Sequence, residues 1–329
     1  MLYFAVDSGT TNSRVWLMRG QEVVAKTQVS VGVRNTAIDG NNRALVDGVR
    51  TAILDLSPGR KSGEQPQIVI AAGMITSNLG LHEVAHVPAP AGLHELASNV
   101  QQRQFEDLKG FTFYFIPGVR SGPGHADLDN VASVDIIRGE ETEVIGALEE
   151  IEQPSKGPLL YIHLGSHTKM IQLDATRRIS AGASTLAGEL TQAIVEQTIL
   201  RSSLPETPFA TFSPIFFSQG WEHCQQVGFT RGLYEVRILQ LNSKFSKQDL
   251  ASFMLGVILF EEFRCIESLT NNAIGQQVLL SGLPHLQPAW TFALESHGFS
   301  VRRLSANETE RCFLTGMLRI FQQRMTLRA

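Results

Sequence analysis

A chain of 329 residues, with 28 Lys and Arg against 32 Asp and Glu and a formal net charge of −4, is long enough for two domains of ordinary size. Its basic residues are scattered, which argues against a nucleic-acid or anionic-membrane surface. The best apolar run beyond the N-terminus, Phe253 to Phe260, is too short to cross a bilayer. Cys224, Cys265 and Cys312 lie far apart with no CxxC pair, so they read as reduced thiols and not as a disulfide frame or metal cluster. The N-terminus runs straight into a strand with no basic region, apolar stretch and cleavage site, so no signal peptide is expected and a cytoplasmic location is.

Tyr3 to Val6 is a short apolar strand that Asp7 ends. Gly9 then permits a tight turn and a close backbone approach to a ligand. The N–H groups around Gly9, Thr10, Thr11 and Asn12 can form an anion-binding concavity, with the two hydroxyls as further donors. A carboxylate beside such a nest repels phosphate unless a divalent cation lies between them, so Asp7 is read as holding Mg²⁺ through water. A hairpin turn with Gly and Thr for geometry alone is the plainer alternative. Strands at Arg14 to Met18 and Val23 to Gln28 follow, with a tight turn at Arg19-Gly20. Asn42 to Leu56 reads as a helix with Leu45, Val49, Ile53 and Leu56 on one face, stopped by Ser57-Pro58-Gly59 and a polar loop through Pro66.

Gln67 to Ala71 and Phe111 to Ile116 read as buried strands, and Gly118 to Asp129 as the loop most apt to move. Between them, His82-Glu83-Val84-Ala85-His86 spells HExxH, the zinc-protease pattern. That pattern needs a helix to bring both imidazoles to one face. Here Gly80 and Pro88-Ala89-Pro90 leave too short a segment, so a zinc hydrolase is set aside. Glu140 to Glu150 is the expected crossover helix and Gln153 to Pro158 a domain boundary, giving domains 1–150 and 151–329.

Leu159 to Ser180 repeats the opening at a constant offset. Gly165 answers to Gly9, Ser166 to Thr10 and Thr168 to Asn12, while Ile171 and Ile179 answer to Val15 and Val23. His163 stands where Asp7 does, so one half would serve a metal and the other only phosphates. Beyond lie predicted helices at Leu186 to Arg201 and Lys247 to Leu269, a strand at Gln277 to Leu280, and helices near Pro288 to His297 and Glu308 to Arg324 around a strand at Phe299 to Leu304. No GxGxxG follows a strand and no Walker A sequence is present, which excludes a Rossmann or P-loop reading.

The motifs VDSGTTNSR, AAGMITSNLG, FIPGV, IRGEETEVIGA, LGSHTK, LAGEL and FTRGLYEVR, in this order over nearly the full length, resemble the 2-dehydro-3-deoxygalactonokinase family of the sugar-kinase, Hsp70 and actin superfamily. Ser8, Leu164 and Met170 depart from the aromatic, proline and tryptophan usual in that family. The resemblance implies an α/β fold of two RNase H-like (actin-like ATPase) domains with an ATP cleft between them. It also implies ATP and Mg²⁺ as cofactors and a small-molecule sugar acid as partner, phosphorylated on its 6-hydroxyl. A homodimer is compatible with it. Phosphate and nucleotide contacts would come from Gly9, Thr10, Thr11, Asn12, Arg14, Gly165, Ser166, His167 and Lys169, with Gly282 in the adenosine segment LLSGLPHLQ.

Related sugar kinases take their carboxylate base from the region of Arg138-Gly139-Glu140-Glu141, so Glu141 or Glu140 is the candidate, with Glu141 slightly preferred. A helix start capped by acids is the alternative. Arg138 would match the substrate carboxylate in two-pronged fashion. Met74, Ser77 and Asn78 fall on the substrate side; the last two would bond substrate hydroxyls or else fix a turn. Lys169, Arg14 and His167 would offset or donate to phosphate, or serve a local structural contact. A nucleotide-driven switch of the same fold is the competing class, and the pair Glu140-Glu141 favours the enzyme.

Overall fold

The computed structural model describes residues 1–57, 66–151, 157–270 and 275–328. The polar loop after Ser57 and most of the expected boundary at Gln153 to Pro158 lie outside them. The chain divides into two compact units, Met1–Pro154 with Arg177–Ser180 and Thr309–Ala329, and Ser155–Thr176 with Ala181–Glu308. The second unit therefore does not run to the C-terminus.

In the first unit β1 (Leu2–Ser8), β2 (Ser13–Arg19) and β3 (Glu22–Val29) form a meander. Next come α1 (Val33–Asp39), α2 (Arg43–Asp55), β4 (Ile68–Gly73), the short β5 (Val87–Pro88), α3 (Leu93–Ser98), β6 (Gln101–Arg103) and β7 (Thr112–Phe115). The main sheet has the order β3-β2-β1-β4-β7-β6. β1 runs antiparallel to β2 and parallel to β4, and β4 parallel to β7. Central placement buries Tyr3 to Val6 on both faces, which is why this strand reads as a continuous apolar run and not as an alternation. The predicted stripe of α2 faces this sheet's core through Leu45, Val49 and Ile53. A small sheet of β5, β8 (Val119–Ser121) and β9 (Asp135–Ile137) leads into α4 (Glu140–Glu150).

The second unit repeats the plan. β10 (Leu159–Leu164), β11 (Thr168–Leu173) and β12 (Ile179–Thr185) precede α5 (Ala187–Gln197), α6 (Pro214–Val227), α7 (Phe229–Asn242) and α8 (Lys247–Thr270). β13 (Gln277–Gly282), α9 (Gln287–Ser296) and β14 (Ser300–Arg303) complete it, in sheet order β12-β11-β10-β13-β14. In each unit the first two strands run antiparallel and two further strands run parallel to the first, the ribonuclease H-like arrangement. α8 is buried from Leu250 to Leu259, so the apolar run Phe253 to Phe260 is the centre of a core helix. No helix among the described residues is long and apolar enough to cross a membrane. The helix expected over Leu186 to Arg201 ends at Gln197, because the Thr198 side chain accepts from the Leu200 N–H and opens a separate 3₁₀ turn.

α10 (Ala306–Thr326) carries the chain back, its residues from Thr309 onward packing in the first unit. It meets α4 where two glycines remove the side chains between backbones. A Cβ on Gly146 would lie 1.6 Å from the Cys312 carbonyl oxygen, and one on Gly316 would lie 1.9 Å from that of Thr142. Gly146→Val is therefore expected to push the helices apart and destabilise the first unit by about 1–3 kcal/mol or more, read as a lower denaturant midpoint. An unchanged midpoint would mean that α10 does not hold α4.

Candidate active site

The site builds outward from the end of β1. Asp7 pairs in register with Arg14 across the β1–β2 ladder, and Arg14 Nε and Nη2 both donate to Asp7 Oδ2, at 3.1 and 2.5 Å. The other oxygen, Oδ1, faces Gly73 at the end of β4, where a Cβ would come within 2.7 Å of it. Gly73 has φ +82° and so needs glycine on both counts. Burial raises the Asp7 carboxyl above the usual range; Arg14 opposes this, and the charges of Glu143 and Glu140 add to it.

The turn Gly9–Asn12 closes through the Gly9 N–H and the Asn12 carbonyl at 2.8 Å. Its carbonyls point backward, where Gly9 and Thr10 accept from Val33 and Arg34 at the start of α1. Among the described residues nothing accepts from the N–H groups of Thr10, Thr11 or Asn12. A Cβ on Gly9 would meet nothing nearer than the Asn12 carbonyl oxygen at 3.8 Å, and its φ lies outside the left-handed region. The fold does not demand glycine there, contrary to the expectation from turn geometry. What a side chain at Gly9 would occupy is the space in front of the free N–H groups.

In the second unit Gly165–His167 makes the equivalent turn, one residue shorter. Leu164 pairs with Thr168 as Ser8 pairs with Ser13, and His163 with Lys169 as Asp7 with Arg14. The structural counterpart of Thr168 is thus Ser13, not Asn12, and that of Val15 is Met170, not Ile171. Ser166 accepts from the Glu189 N–H at 2.8 Å, so α5 backs this turn as α1 backs the first. His167 Nε2 lies 3.4 Å from Glu189, and Lys169 Nζ donates to Ser184 at 2.9 Å. Gly282, φ +88°, ends β13 beside Leu164 and is the register counterpart of Gly73. Beneath the turn, Thr185 donates to buried Glu262 at 2.7 Å, and Thr168 bonds it too.

Sequence reasoning missed Gly32 and Gly188, which let the backing helices approach. A Cβ on Gly32 would sit 2.5 Å from the Thr10 carbonyl oxygen, and one on Gly188 2.1 Å from that of Gly165. The signal was available, since the two stand at the same offset as Gly9 and Gly165.

α4 begins against the end of β4 in the first unit. A Cβ on Gly139 would lie 3.3 Å from the Gly73 Cα. Glu141 is fully buried; it accepts from the Gly139 N–H at 2.7 Å and from the Thr142 hydroxyl at 3.3 Å. Burial first, and the neighbouring Glu140 charge second, push its carboxyl up to about 8. Glu140 is half-buried and accepts from the Arg138 N–H at 3.1 Å. Four carboxylates, Asp7, Glu140, Glu141 and Glu143, thus stand at one end of the first unit's sheet.

On the substrate side, Ser77 spends its hydroxyl on the turn itself, donating to the Met74 carbonyl at 2.7 Å and accepting from the Leu79 N–H. Asn78 is exposed, with no hydrogen bond among the described residues, and Met74 is half-buried beside them. Arg138 is spent locally as well. Nη1 donates to Thr76 carbonyl and hydroxyl oxygens at 2.6 and 2.5 Å, and Nη2 to the Val84 carbonyl at 3.0 Å and the His86 ring. Only Nε lacks an acceptor among the described residues. His86 thus packs on a guanidinium while His82 bonds Gln101, and their segment is not helical, so HExxH forms no metal face.

Arg138→Met is expected to lower the unfolding temperature and turnover together, since it strands the Thr76 and Val84 carbonyls. Substrate KM rising alone, with stability intact, would instead assign the guanidinium to the substrate.

Ribonuclease H-like sheets in both units, each opening on a strand, a glycine turn and a second strand, define the actin-like class of proteins. The chain belongs to the 2-keto-3-deoxy-galactonokinase family, whose model matches residues 7–320. It is 27% identical over 319 residues, 96% of each chain, to a protein of Rhizobium meliloti described as a probable 2-dehydro-3-deoxygalactonokinase. It is 26% identical to the 2-dehydro-3-deoxygalactonokinase of Escherichia coli, over 79% of this chain and 78% of that one. A crystal structure from Sinorhizobium meliloti, described in the same terms, superposes with TM-score 0.74 at 25% identity, covering 96% of this chain and 97% of that one.

Proposed function

We propose that the protein phosphorylates the 6-hydroxyl of 2-dehydro-3-deoxy-D-galactonate, with ATP as donor and Mg²⁺ as the accompanying ion. When bound, ATP would supply the γ-phosphoryl group and Mg²⁺ would offset charge on its phosphates. The observation that carries the reading, within the family, is the first turn: unclaimed N–H groups of Thr10, Thr11 and Asn12, fronted by a glycine the backbone does not require, beside a carboxylate. That donor set fits a phosphate chain. Asp7 Oδ1, the oxygen that Arg14 does not engage, fits a hydrated cation held through water.

The chain's own residues then have separable roles. Gly9 to Asn12 hold phosphate oxygens, and Arg14 keeps Asp7 aimed. Gly165, Ser166, His167 and Lys169 serve phosphates from the second turn, with Gly282 shaping its base. Glu141 takes the hydroxyl proton: its carboxyl, at about 8, is basic enough to accept it near neutral pH. Glu140 is the alternative, because it is the less buried of the two. Asn78 offers its amide to substrate hydroxyls, while Ser77, Met74 and Arg138 shape the turn that carries it.

The test is steady-state turnover across keto-deoxy sugar acids, other aldonic acids and neutral hexoses. The reading expects 2-dehydro-3-deoxy-D-galactonate to have the highest kcat/KM. A neutral hexose in first place would overturn it.

A further inference from the structure

Far from β1 in the first unit, the end of α3, β6, the last turn of α10 and Arg328 just beyond it line an open surface recess of about 730 Å³. β7 and β4 separate β6 from β1, which at a strand spacing of about 4.8 Å places the two roughly 14 Å apart. The walls carry the amides of Asn99, Gln101 and Gln102 with the guanidinium groups of Arg103, Arg324 and Arg328, and no lining residue is acidic.

Arg324 is the unusual member. As a whole residue it is only 8% exposed, its stem packed and its guanidinium open to the recess, and among the described residues that guanidinium makes no hydrogen bond or ion pair. Burial first, and repulsion from Arg328 second, weaken its hold on its proton, and Tyr114 opposes them. Arg103 is held nearby, donating to the Gln102 carbonyl at 3.0 Å and to Gln101 Oε1 at 3.2 Å. Three guanidinium groups thus share one recess in which, among the described lining residues, no carboxylate stands.

We propose that this recess is an anion site for a small phosphate-bearing solute, either free phosphate or a phosphate ester. Planar guanidinium forks match phosphate oxygens in pairs, and the amides supply donors for the remaining oxygens. A tetrahedral dianion satisfies several forks at once, as a single carboxylate does not. The volume suits a small metabolite.

The test titrates inorganic phosphate and glucose 6-phosphate into the full chain by calorimetry, as wild type, Arg324→Met and Arg328→Ala. Each substitution is expected to weaken one binding event about tenfold or more, with turnover in phosphate-free buffer at the wild-type level. Tungstate soaked into wild-type crystals should give an anomalous peak within hydrogen-bond reach of Arg324. Equal affinity for the two probes would point to free phosphate, and tighter binding of glucose 6-phosphate to an ester. Arg328 is exposed, so its variant carries the test if Arg324→Met does not fold. Unchanged affinities in the folded variants, with no peak at Arg324, would overturn the proposal.

Discussion

Glu141→Gln is expected to lower kcat by about 10²–10⁴, the usual worth of a positioned general base, while ATP and sugar-acid binding persist. The amide keeps the size of the side chain and an oxygen for the Gly139 N–H, so basicity is what is lost. The pH dependence gives this an internal control. With its carboxyl at about 8, Glu141 is mostly protonated at neutral pH, and only the ionised form accepts a proton. In the wild type, kcat/KM should therefore climb about tenfold per pH unit and level off near 8.

Stability should run the other way. Between about 4.5 and about 8 the folded chain retains a proton that the unfolded chain has released. The unfolding free energy then falls as pH rises through that window, by up to about 1.4 kcal/mol per unit. Glutamine, which cannot ionise, removes both slopes. If Glu141→Gln keeps its turnover and Glu140→Gln does not, the base is one residue earlier. If both keep it, the carboxylate lies elsewhere, with Asp127 and Asp129 next to be tested.

Asp7→Ala is expected to cost about 10²–10³ in turnover with the fold retained, since the carboxylate sits at a strand end and not in the apolar core. It also frees Arg14, whose two donors both serve Asp7 Oδ2. The loss should persist at saturating Mg²⁺ and be accompanied by weaker Mg²⁺ dependence. Near-wild-type turnover under those conditions would remove Asp7 from the reaction.

What the letters disclosed follows from where each signal originates. β1 and β10 are central strands buried on both faces, so they stand out as unbroken apolar runs. α2 covers one face of a sheet and so shows its stripe. The slip of one residue in the second turn was hidden because Met170 and Ile171 are both apolar, and either frame fits a buried strand; only the pairing of Leu164 with Thr168 separates them. The return of α10 to the first unit was equally silent, since an amphipathic helix does not state which sheet it covers. Arg138 shows why a site is harder to read than a fold. Its sequence neighbours are acids at a helix start, yet its partners Thr76 and Val84 lie far back along the chain and reach it only after folding.

The most direct measurement of the central claim follows ³¹P resonances while the wild-type protein and Glu141→Gln turn over 2-dehydro-3-deoxy-D-galactonate with ATP and Mg²⁺. The account predicts one new phosphomonoester signal coupled to the C6 protons, growing in step with ADP in the wild type and nearly absent in the variant. ADP formed without an ester, or an ester formed equally fast by Glu141→Gln, would contradict it.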